Sequence, residues 1–97
     1  MEKLLLPLNG RKVLSKNGKI WYKVTLKKPA HVTIGHIGRC FVDLPFVQIQ
    51  SVYDASCRGE KVNTKTISLL RGTHAADHGD SALYALVLAM RDGSRIR

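Results

Sequence analysis

Two Asn-Gly dipeptides, Asn9-Gly10 and Asn17-Gly18, constrain this chain more than any other feature. Both residues of a two-residue hairpin turn take positive φ, which glycine and asparagine tolerate best, so each dipeptide marks a hairpin. The segments around them, residues 4–8, 11–16 and 19–26, then read as a three-stranded antiparallel meander. The third strand alternates with period two: Ile20, Tyr22, Val24 and Leu26 point one way, and Trp21, Lys23, Thr25 and Lys27 the other. A two-residue turn at Asn17-Gly18 sets Lys16 opposite Lys19, Leu14 opposite Trp21 and Lys12 opposite Lys23. One face then carries Lys12, Leu14, Lys16, Lys19, Trp21, Lys23 and Lys27, and the other carries Val13, Ile20, Tyr22, Val24 and Leu26.

Beyond Pro29 the alternation resumes, with Val32, Ile34 and His36 on one side, a glycine-bearing interruption at residues 35–38, and then Cys40, Val42 and Leu44. Residues 46–53 read as a further strand, 54–63 as a loop, 64–70 as a strand rich in threonine and isoleucine, and 72–79 as another loop. Residues 81–91 fit two patterns. Leu83, Leu86, Val87 and Met90 have helical spacing, while Asp92-Gly93 is a hairpin signal that favours a strand over 84–91. The strand reading is preferred. The 97 residues therefore suggest one compact domain with a basic meander at 3–28. The expected fold is mainly β: a small antiparallel sheet or barrel of five to seven short strands, with a helix near 81–91 and an α+β fold as the alternative.

Charge is concentrated at one end of the chain. Residues 1–28 hold eight basic groups against Glu2 alone, whereas residues 72–97 hold three of each sign. Phosphate contact needs cations spaced along a surface, and an aromatic ring among them can stack on a base. Trp21, flanked on its own face by Lys19 and Lys23 with Lys12 across the ladder, supplies both. The expected site is thus Arg11, Lys12, Lys16, Lys19, Trp21, Lys23, Lys27 and Lys28, a non-enzymatic surface for single-stranded or structured nucleic acid, DNA or RNA. Lysines on a strand also discourage sheet-to-sheet aggregation, which is the plainer reading of the same residues. A second functional reading is a small adaptor or inhibitor that docks on an acidic protein surface, and a free strand edge would allow a homodimer.

Other chemistry has weaker support. His31, His36 and Cys40 lie near one another in sequence, but no Cys-x₂-Cys pair accompanies them, so no metal or cofactor is expected. His74, Asp77, His78 and Asp80 form a polar cluster at 74–80 that would serve an enzyme only if Cys57 or the basic face joined it in one cleft. Neither common glycine-rich phosphate loop is present. No segment approaches the roughly 20 apolar residues of a membrane span. Residues 1–7 lack the apolar core of a signal peptide, and Cys40 and Cys57 read as reduced thiols, so a cytoplasmic setting is expected, in a cell or an infected host cell.

Overall fold

The computed structural model describes residues 2–27, 30–36, 41–72 and 78–97, with His78 described by its backbone alone. Four antiparallel strands form one sheet in chain order: β1 (Lys12–Leu14), β2 (Trp21–Lys27), β3 (His31–Gly35) and β4 (Val42–Pro45). A short helix α1 (Glu2–Leu5) and a 3₁₀ turn (Leu6–Leu8) precede them. Three longer helices follow: α2 (Phe46–Cys57), α3 (Thr64–Arg71) and α4 (His78–Arg91). The fold is therefore α+β with an open sheet, which corrects the expectation of a mainly β sheet or barrel of five to seven strands.

The register of β1 and β2 matches the expectation: Lys12 pairs with Lys23, Val13 with Tyr22 and Leu14 with Trp21. The turn that sets it is different. Among the described residues no residue other than glycine has positive φ, so Asn17 cannot take the first position of the two-residue turn. The ladder closes instead at Ser15, whose N–H donates to the Ile20 carbonyl at 2.8 Å, leaving residues 16–19 as a four-residue loop. Gly18 takes the single positive φ, and Asn17 Oδ1 accepts from the Lys19 N–H at 3.0 Å. A loop lengthened by one residue on each side gives up the expected Lys16–Lys19 pair but keeps Lys12–Lys23 and Leu14–Trp21, which is why the register survives.

Asn9-Gly10 is not a hairpin turn. Asn9 is extended at φ −60° and ψ 125° and Gly10 has φ 78°, with the Arg11 N–H donating to the Leu8 carbonyl at 2.9 Å. These are the angles of a type II turn, and it feeds a helical segment into β1 rather than joining two strands. Leu5 and Leu8 are buried three residues apart while Leu4 and Leu6 stay exposed, a helical spacing where a strand was expected.

The same correction applies to residues 46–53, 64–70 and 84–91, all helical. In α2 the buried positions are Ile49, Val52 and Ala55, at intervals of three, and Val47 is 73% exposed. In α3 a capping box decides the outcome: Asn63 Oδ1 accepts from the Thr66 N–H at 3.0 Å, and Thr66 Oγ1 accepts from the Asn63 N–H at 2.8 Å. That reciprocal cap satisfies two otherwise orphan donors and outweighs the modest strand preference of threonine and isoleucine. Asp92-Gly93 opens a 3₁₀ turn (Gly93–Arg95) instead of a hairpin, because Asp92 Oδ1 accepts from the Ser94 N–H at 3.1 Å.

The core lies between the sheet and the helices. Val13, Tyr22, Val24, Val32, Ile34 and Leu44 line the inner face of the sheet. Against them packs α4, with Ala82, Leu83, Ala85, Leu86, Val87 and Ala89 buried, and α2 and α3 pack on α4. Burial on most of its circumference explains why α4 lacks a polar face and reads from sequence almost as well as a strand. Where the three helices meet, Arg71 Nη1 donates to the fully buried Asp80 carboxylate at 2.9 Å, and Arg71 Nε donates to Gln48 Oε1 at 3.1 Å. No helix among the described residues is long and apolar enough to cross a membrane.

Candidate nucleic-acid interface

Because β-strand side chains alternate, burying Val13, Tyr22 and Val24 forces Lys12, Trp21, Lys23 and Lys27 onto the opposite, outer face. Lys12, Lys23 and Lys27 are exposed and Trp21 is half-buried. Lys12 and Lys23 occupy directly opposed positions of the ladder, where like charges repel. Residues 94–97 return to this face. An isolated bridge pairs Ile96 with Val13 at the outer edge of β1, and the Arg97 N–H donates to the Lys12 carbonyl at 2.8 Å. Arg97 is thereby placed opposite Lys12, and its guanidinium lies 5.0 Å from the centre of the Trp21 ring. Arg11 is held beside it, its Nε donating to the Arg97 carbonyl at 3.1 Å.

A second ring completes the face. Phe41 lies over Gly35: a Cβ built on Gly35 would come within 2.8 Å of Phe41 Cγ and 2.9 Å of Phe41 Cα. Glycine at position 35 is what lets the ring sit so close to the backbone of β3. Phe41 is nonetheless 47% exposed. Lys12, Trp21, Lys23, His36 and Phe41 together line a shallow cavity of about 190 Å³. At the β3–β4 side the face changes character, since Thr33 Oγ1 donates to Asp43 Oδ1 at 2.6 Å.

Not every expected residue comes to this face. Lys16 and Lys19 lie in the loop that joins β1 to β2, and the Lys16 ammonium sits 5.3 Å from the ring centre of Tyr84 on α4. It belongs to a different cleft, lined by Ser15, Asn17, Ile20, Tyr22, Thr64, Ser81 and Tyr84 as well. Lys28 falls outside the described residues. Sequence reasoning missed Phe41, His36 and Arg97. Phe41 had no local signal, and Arg97 arrives through a pairing with residues more than eighty positions away.

The alternative chemistry is not assembled among the described residues. His74 and Asp77 of the polar cluster lie outside them, as do Cys40 and the His78 side chain, while Asp80 is committed to Arg71. Cys57 is an exposed free thiol at the end of α2. The hydroxyl of Tyr53 is held above its ordinary range, first by its hydrogen bond with Cys57 and then by burial. No group of three or more His, Cys, Asp or Glu that could hold a metal ion occurs among the described residues. Comparisons with protein-family models, with curated proteins and with solved structures found no match to this chain.

Proposed function

We propose that the outer face of the sheet binds nucleic acid and catalyses no reaction on it. The observation that carries this reading is the opposition of Lys12 and Lys23 across the β1–β2 ladder, with Arg97 and Arg11 brought in alongside. Such a concentration of cations costs stability in the free protein and is relieved by a polyanion. Arg11, Lys12, Lys23, Lys27 and Arg97 are the phosphate contacts, and the rings at 21 and 41 supply apolar surface between them. Lys16 and Lys19 contribute at long range through the field. Screening weakens all of these contacts, so five phosphate contacts give a salt slope near −3.5 for a single strand, from about −0.7 per phosphate. An exposed Cys57 thiol fits a reducing, cytoplasmic setting.

Fluorescence-anisotropy titrations against single-stranded and duplex DNA and RNA at two salt concentrations test the reading. The wild-type protein is expected to bind in a salt-sensitive way, and a folded Lys12→Glu/Lys23→Glu variant is expected to lose most of that binding. Absence of binding by the wild type at low salt removes the nucleic-acid reading and leaves an acidic protein surface as the partner to seek.

A further inference from the structure

The two rings on the outer face are not equivalent. The Trp21 ring is half-buried and the Arg97 guanidinium already stands over it at 5.0 Å. A flat guanidinium on an indole is a favourable arrangement that holds both groups in place. Phe41, by contrast, rests on the bare backbone at Gly35 and remains 47% exposed. An exposed phenyl ring on a basic surface is poorly placed for solvation, and its position close to β3 limits how far it can move. The cavity it shares with Lys12, Trp21, Lys23 and His36 measures about 190 Å³. That is below the roughly 300–1,000 Å³ of pockets that enclose a drug-sized molecule, so it suits one flat ring rather than a whole small ligand.

A base offers its flat face only when it is out of the stack. Reading base identity in a DNA duplex requires instead that a helix or a two-stranded ribbon enter the major groove. On the outer face the described residues present strand side chains, with α2 and α4 packed on the inner face. The loop at 16–19, which forms the tip of the β1–β2 ribbon, turns its Lys16 ammonium toward Tyr84 instead.

We propose that the ligand of this face is a single strand, with one base stacked on Phe41 and its flanking phosphates on Lys12, Lys23 and Arg97. The assignment rests on the nucleic-acid reading above and narrows it to a ligand class. Phe41 supplies the stacking surface that the face would otherwise lack, because Arg97 covers Trp21. Arg97, fixed by its backbone pairing to Lys12, presents its guanidinium without further ordering. Base identity matters little, since every base has a π-face.

The test compares three fluorescein-labelled probes of about 12 nucleotides, within the span of roughly 4–16 that single-strand sites cover. They are oligothymidine, the same backbone with abasic units replacing the bases, and a duplex of equal length. Oligothymidine is expected to bind the wild-type chain about tenfold more tightly than the abasic strand, the effect of one base–aromatic stack. Phe41→Leu should close that gap without altering the salt slope, and Phe41→Tyr should preserve it. Trp21 is the only tryptophan in the chain, so its fluorescence should be quenched more by oligothymidine than by the abasic strand. The probe comparison and the quenching need no variant and stand if Phe41→Leu fails to fold. Equal binding of the abasic strand or of the duplex overturns the single-strand assignment while leaving nucleic-acid binding intact. Loss of binding in Lys12→Glu/Lys23→Glu with no effect of Phe41→Leu in a folded protein does the same. No binding of any probe at low salt overturns both.

Discussion

The junction of α2, α3 and α4 and the outer face of the sheet treat charge in opposite ways. At the junction, Asp80 is fully buried and Arg71 nearly so, and the two meet at 2.9 Å with Gln48 holding the guanidinium from a third helix. On the outer face, Lys12 and Lys23 are exposed and set against each other. A buried charge must be neutralised and hydrogen-bonded because the interior cannot solvate it. An exposed one is solvated by water, so an unfavourable neighbour is tolerated until something of opposite sign arrives. Ionic groups at the first place therefore hold the fold together. Those at the second add nothing to its stability and stay open to solvent.

The largest expected effect tests the first half of that contrast. Asp80→Ala leaves the Arg71 guanidinium buried without its carboxylate and should destabilise the protein by about 3–5 kcal/mol, read from urea unfolding. In the same measurement Lys23→Gln should leave stability unchanged or slightly raised, with the difference from wild type shrinking as salt is added. A cost for Lys23→Gln comparable to that for Asp80→Ala would erase the distinction between the two regions.

The next effect concerns how the outer face is built. Gly35→Ala forces a methyl group against both the ring and the backbone of Phe41 and should cost about 1–3 kcal/mol, since neither can move aside freely. The same variant should lose the preference for oligothymidine over the abasic strand even where it remains folded. Retained preference would mean that Phe41 does not need its seat on Gly35.

The smallest effect lies in the segment that brings Arg97 to the face. The Asp92 carboxyl sits below the ordinary carboxylate range, first because the Ser94 hydroxyl donates to it and then because the Ser94 N–H does. A carboxyl with a depressed folded pKa stabilises the structure above its unfolded value and loses that contribution as the pH falls through the folded one. Residues 92–97 should thus loosen as the pH drops below the range in which free Asp titrates, about 3.9. Resonances of the Trp21 ring, which carries Arg97, are expected to shift in that window, and Asp92→Ala should abolish the response.

These regions also differ in how much of them the sequence disclosed. Alternation along 20–27 is a local property, visible without knowing what covers the sheet, and it correctly separated inner Val13, Tyr22 and Val24 from outer Lys12, Trp21 and Lys23. The identity of residues 46–53, 64–70 and 84–91 was misread for three different reasons. In α2 the alternation of Val47 and Ile49 with glutamines hid the three-residue spacing of Ile49, Val52 and Ala55. In α3 the content of threonine and isoleucine masked the Asn63–Thr66 box. In α4 the helical spacing of Leu83, Leu86, Val87 and Met90 was legible, but the Asp92-Gly93 hairpin signal outweighed it. Burial on most sides had removed the polar face that would have decided for a helix. The Asn63–Thr66 capping box, like the spacing of Ile49, Val52 and Ala55, is a helix signal that the sequence itself carries.

By itself, then, the sequence determined the register of β1 and β2 and the basic character of one sheet face, because side-chain parity in a strand follows from its own backbone. Tertiary structure decided that a helical layer covers the other face, that Arg71 and Asp80 meet, and that Lys16 leaves the basic face for Tyr84. It also decided that Phe41 settles on Gly35 and that Arg97 crosses to Trp21. Each of those contacts joins residues from separate elements, and its formation depends on packing free energy that no local pattern encodes.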